Sequence, residues 1–149
     1  NYHHERQHTL CKSLEEIANS LPNAADKQAC LVISRLIYPT VKEAHQFEEQ
    51  ELFPLLESEN EDDTKLSASL ERLRFEHWED ESFAEELSEC LRDFASNERS
   101  DLIEKLSYML RGFFEGLKRH MAFEIEHILP IVQNAITLIL SWRKPFGRK

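Results

Sequence analysis

The sequence predicts an all-α fold, an up-down-up-down four-helix bundle with a short C-terminal helical extension. Three observations carry that prediction. Glycine is scarce, 3 in 149 residues, while Leu, Glu, Ala and Lys are plentiful, a composition that favours helix. Apolar residues recur at three- and four-residue spacing along four stretches, the mark of helices with one buried face. The chain also repeats itself. With His4 laid on His77, Leu10 falls on Phe83, Cys11 on Ala84, Leu14 on Leu87, Ile17 on Cys90, Ala18 on Leu91 and Leu21 on Phe94. A matching overlay of the second helix on the fourth puts His45 on His120 and Glu49 on Glu124. Each half then reads as a helical hairpin, and two hairpins side by side make a bundle.

The first helix is expected over residues 2 to about 20, with Leu10, Leu14, Ile17 and Leu21 on its apolar stripe and Pro22 as the breaker. The second should run from about Ala24 to Ser58 on Cys30, Ile33, Ile37, Val41 and His45, kinked at Pro39. Glu57 to Asp63 is acidic and polar and reads as a loop. Thr64 is the expected N-cap of a third helix reaching about Ala95. A fourth begins near Asp101 and passes His127 to a kink at Pro130. Residues 131 to 142 keep helical periodicity, so they either extend this helix or cross the bundle end. One domain is expected over residues 1–142, with a basic, disordered tail from Arg143 to Lys149.

The buried stripes carry chemistry. His45/Glu49, His77/Glu81 and His120/Glu124 are histidine–glutamate pairs four residues apart, and four residues is one helical turn. A histidine and a carboxylate on an apolar face need partners, because unpaired buried polar groups are costly. One such pair is most simply a hydrogen-bonded core histidine. Three pairs on three separate stripes point instead to a metal site. In a bundle, His4, His45, Glu49, His77, Glu81, His120 and Glu124 gather at one central point. That set is too large for one tetrahedral zinc. It suits two iron ions with bridging carboxylates and a position open to a small ligand. His8, one turn after His4, is the competing ligand from the first helix. Glu48, Glu51, Glu79 and Glu126 are expected in solvent, and His127 is expected to face inward at the end of the core. Trp78 and Phe123 are candidates to line the site, and Tyr38 and Tyr108 to stand near it, although packing is the default role of aromatic residues.

Composition bounds the partners. A net charge of -10 argues against nucleic acid and against anionic membrane surfaces. The longest apolar runs, such as Ala135 to Leu140, are far too short to span a bilayer. Cys11, Cys30 and Cys90 are odd in number and widely spaced. They read as reduced thiols, with Cys11 and Cys90 inert in the core, in a cytoplasmic protein.

The chain resembles the haemerythrin-like (HHE cation-binding) family. The residues that carry the resemblance are His4, His45-x-x-x-Glu49 followed by Leu52-Phe53-Pro54, Glu76-His77, and His120-x-x-x-Glu124 followed by Leu129-Pro130. It covers about residues 2 to 131. It implies a non-haem di-iron centre, oxo- or hydroxo-bridged, that binds dioxygen or related small molecules. By that resemblance His4, His45, His77 and His120 would be terminal ligands, and Glu49 and Glu124 bridges. The oxygen-carrying haemerythrins have a histidine where this chain has Glu81. They have an aspartate where it has Ile125, with Glu124 one position earlier. A site richer in oxygen donors favours the ferric state. The expected role is therefore binding or sensing of dioxygen, nitric oxide, peroxide or iron, read out by a protein partner. The alternative is a di-iron enzyme with peroxidase-like or ferroxidase-like activity.

Overall fold

The computed structural model describes residues 2–97 and 100–142, and among them every regular element is helical. Four arms make the bundle. The first is α1 (Tyr2–Ser20). The second comprises α2 (Lys27–Ser34), α3 (Ile37–Phe47), a π turn (Glu48–Leu52) and α4 (Phe53–Glu59). The third is α5 (Thr64–Asn97). The fourth follows a short 3-10 turn (Ser100–Leu102) with α6 (Ile103–Phe123), a second π turn (Glu124–Ile128) and α7 (Leu129–Trp142). α1 packs against α3 and α6, and α5 packs against α2, α3 and α6, so each arm has two neighbours around a common axis.

Local chemistry explains the boundaries. Asp26 caps α2, its Oδ1 accepting from the N–H groups of Gln28 and Ala29. The second arm is not one kinked helix. Pro39 has no N–H for the Arg35 carbonyl and its ring crowds that group, so the chain breaks into a turn at Arg35–Leu36 and restarts as α3. The expected cap Thr64 is instead the first residue of α5. The cap is Asp63, whose Oδ1 accepts from the Leu66 N–H at 2.9 Å.

The fourth arm runs without a break through Pro130. As a result Ile103–Ser141 is long and apolar enough, by length and composition, to cross a membrane, which no single apolar run in the sequence suggested. The stretch is also a wall of the bundle: Leu106, Leu110, Phe113, Phe114, Leu117 and Met121 are buried in it. α7 packs against α4, closing the bundle end with Val132 and Ala135. Arg143 to Lys149 lie outside the described residues.

The repeat seen in the sequence is a repeat of burial. Cys11 and Ala84, Leu14 and Leu87, Ile17 and Cys90, and Ala18 and Leu91 are all core residues. The apolar interior falls into two bodies. The larger includes Leu14, Ile37, Val41, Leu87, Leu91, Leu110 and Phe114. The smaller holds Phe53, Leu56, Leu66, Leu70, Leu73, Ile128 and Val132. Between them lies a polar layer, crossed by the second, third and fourth arms and reached by the start of the first at His4.

Candidate metal centre

The two π turns position the site's carboxylates. Pro54 cannot donate to the Gln50 carbonyl, nor Pro130 to that of Glu126, and each ring crowds the group it fails to bond. The ladder widens instead. The Phe53 N–H donates to the Glu48 carbonyl and the Leu129 N–H to the Glu124 carbonyl, each five residues back. Glu48 and Glu124 thus open two equivalent turns, and both side chains are buried. The wider turn also sets which apolar side chain is buried: Phe53 is in the core and Leu52 only partly so. π turns of this kind are common at functional sites.

Four residues from three arms, Glu48, His77, His120 and Glu124, place one ligand atom each within 4.8 Å of one another. His77 Nε2 stands 2.8 Å from Glu48 Oε2, and His120 Nε2 stands 2.6 Å from Glu124 Oε1. None of these four atoms has a partner in hydrogen-bonding geometry, and neither has the buried Nε2 of His45. Buried polar atoms without partners are rare. Apart from Gln7 Oε1, those found among the described residues are these five, all on histidine and glutamate, the donor types that hold metal. The His45 and His77 rings stack at 3.8 Å with planes 9° apart, and Phe53 stacks on the far side of His77 at 5.7 Å. His4 is buried and its Nε2 lies 2.8 Å from Glu124 Oε2. His8 is exposed. The first arm therefore brings His4 to the layer.

Glu49 and Glu81 stand behind the histidines. Glu49 Oε1 is 3.1 Å from Nδ1 of His77, with its side chain half-exposed. Glu81 Oε1 is 3.0 Å from Nδ1 of His45, and its Oε2 accepts from Lys42 Nζ at 3.3 Å. Neither belongs to the converging group of four. Glu48, expected in solvent, is the carboxylate that turns inward. The signal that could have found it is a shared spacing: six residues separate Glu48 from Pro54 and Glu124 from Pro130. His127, expected inward, is exposed on the outer side of the second π turn. Trp78 and Tyr108 are exposed, and Tyr38, partly buried, packs against the larger core. Phe123, partly exposed, lines a cleft of about 620 Å³ between α5 and α6 with Arg72, Glu76, Asp80, Arg119 and His120. The cleft gives solvent a path to the His120 edge of the site.

Electrostatics fit a cation. Burial first, then the neighbouring Glu124 charge, pushes the Glu48 carboxyl up to about 10, so it is neutral without a metal. Burial alone would raise Glu124 too, but contacts with His120, His4 and Glu48 hold it well below the usual carboxylate range. His120 resists the lowering effect of burial: Glu124 against its ring, with Glu48 and Asp80 nearby, lifts it to about 9. Burial and the neighbouring His77 and His120 drive His45 down to about 2, and burial lowers His77 as well. These directions favour neutral rings at His45 and His77 and retained protons at His120 and Glu48, protons that a bound cation would displace.

This helical bundle brings histidine and glutamate donors together in its core in a group that fits a metal site. The family model of the hemerythrin HHE cation binding domain matches residues 1–132. The chain belongs to that family. No curated protein and no solved structure matches it.

Proposed function

We propose that this protein binds two iron ions in the polar layer and uses them to hold or sense a small ligand such as dioxygen, nitric oxide or peroxide. The observation that carries this reading is the convergence of Nε2 of His77 and His120 with Glu48 Oε2 and Glu124 Oε1, all within 4.8 Å and none in good hydrogen-bonding geometry, beside the buried, unpartnered Nε2 of His45. His4 completes the set from α1. The residues that would hold the metal are His4, His45, Glu48, His77, His120 and Glu124. Glu124 places both oxygens in the layer, Oε1 at His120 and Oε2 at His4, and Glu48 places Oε2 there, so these two would supply the carboxylate donors. When bound, an iron pair supplies a redox-active centre at which a diatomic molecule or peroxide can be held.

The protein's own residues supply the rest. The two apolar bodies exclude water above and below the layer. Glu49 and Glu81 accept from the outer nitrogens of His77 and His45 and so leave Nε2 of each facing inward. The cleft at His120 admits a small ligand from one side. The test is metal analysis of protein purified without chelator, followed by ultraviolet-visible spectra of the ferrous protein with dioxygen, nitric oxide and peroxide. Two irons per chain and a stable ligand-dependent spectrum are expected. Rapid peroxide turnover above that of free iron would favour the oxidation enzyme, and absence of bound metal would overturn both readings.

A further inference from the structure

We propose that Glu81 is a positioning residue: its Oε1 accepts from the Nδ1–H of His45, and Lys42 holds its Oε2, so that His45 presents Nε2 to the metal layer. The inference rests on the metal-binding reading above but concerns a residue outside the converging group. The geometry supports it from both ends. Glu81 is largely buried, 15% exposed at the side chain, and both its oxygens are engaged, one at 3.0 Å by His45 and the other at 3.3 Å by Lys42. Turning it toward the layer would break both contacts and leave the Lys42 ammonium, itself partly buried, without this carboxylate. His45 in turn is fixed at its face and at one nitrogen, and open at the other. Its ring face stacks on His77 at 3.8 Å, its Nδ1 meets Glu81, and its Nε2 is buried without a partner. A neutral imidazole carries one ring proton, and an acceptor at Nδ1 keeps the proton there. The lone pair is then at Nε2, facing the site, before any metal arrives. A carboxylate behind a metal-binding histidine also raises the basicity of the ring. The family position of Glu81, one turn after His77, suggests a ligand to the metal that His77 binds. The structure gives it to His45 on a neighbouring arm instead.

The experiment compares wild type, Glu81→Gln, Glu81→Ala and Lys42→Met. In metal-free protein, nitrogen-15 NMR of the His45 ring reads the tautomer. Wild type and Glu81→Gln, whose amide oxygen still accepts, should hold the Nδ1–H form, and Glu81→Ala should shift toward a mixture. Anaerobic titration with ferrous iron then reads stoichiometry and affinity separately. Glu81→Ala should keep the wild-type stoichiometry and lose about 10- to 100-fold in affinity. Glu81→Gln should recover most of that loss, and Lys42→Met should fall between wild type and Glu81→Ala. A drop in iron stoichiometry in Glu81→Gln or Glu81→Ala, or an unchanged His45 tautomer in Glu81→Ala, would overturn the proposal. If wild type binds no iron, the functional reading fails, while the tautomer measurement still decides the role of Glu81.

Discussion

Glu48 and Glu49 are adjacent and chemically identical, and their environments differ completely. Glu48 is buried beside His77 and Glu124, while Glu49 reaches the outer nitrogen of the same histidine from a half-exposed position. Replacing Glu48 with Ala should therefore lower metal stoichiometry. Glu49→Ala should keep it and lower affinity by about 10- to 100-fold, as outer partners of metal-binding histidines do. The same titration separates His4 from His8. His4→Ala should reduce bound metal, because His4 is buried on Glu124, and His8→Ala should leave binding unchanged. Protonation gives a third expectation. In the metal-free fold His120 is held up at about 9, against an ordinary value of 6.5. Its contribution to stability is complete below that ordinary value and is lost as pH rises through about 9. Glu48 acts in the same direction: neutral in the fold up to about 10, it lets the unfolded chain gain by ionising above 4.5. His45 and His77 have the opposite sign, but above pH 6.5 they are already neutral in both states. Between pH 6.5 and 9 the Tm of chelator-treated protein should fall. Metal-loaded protein should change less, since bound metal keeps its ligands deprotonated.

At the scale of elements, α1 and α5 are legible from periodicity alone, because nothing interrupts their apolar stripes. So is the position of Glu124. The second arm is less so, for a physical reason. Regular spacing assumes four-residue ladder bonds, and two prolines break that assumption, Pro39 by splitting the arm and Pro54 by widening a turn. The resulting five-residue bond at Glu48 decides which of two neighbouring glutamates enters the core, and no α-helical pattern encodes that choice. Pro54→Ala tests the account. It restores an N–H for the Gln50 carbonyl, so the ladder can close regularly and rotate Glu48 away from the layer. Helical content should stay level or rise and the Tm of metal-free protein should not fall, yet affinity for ferrous iron should drop at least 10-fold. Unchanged affinity would mean that the π turn does not depend on its proline.

For the whole molecule, the metal proposed above would be a component of the interior. A ligand bound only by the folded state adds stability in proportion to the logarithm of its concentration, about 2.7 kcal/mol at 100 times Kd. For a chain of this size that corresponds to a rise in Tm of about 5 to 11 °C over chelator-treated protein. Equal midpoints, with binding confirmed, would place the metal outside the core. The four-arm architecture and the layer of histidines were readable in the sequence because composition, periodicity and the internal repeat agreed. The division of labour among carboxylates was not, because it depends on which oxygen meets which ring nitrogen across arms.

The polar layer also divides the molecule into two oily compartments that share no side chains. One is large and built from α1, α2, α3, α5 and α6; the other is small and built from α4, α7, the start of α5 and Ile128. No apolar side chain is shared across the seam, which is joined by the polar layer and the helices that run through it, so in the absence of metal the two should open at different rates. Hydrogen exchange of metal-free protein should show α4 and α7 exchanging well before α1 and α6. Bound metal, gripping all four arms at the seam, should bring the two rates together, so that the ion acts as a rivet turning two weakly joined blocks into one cooperative unit.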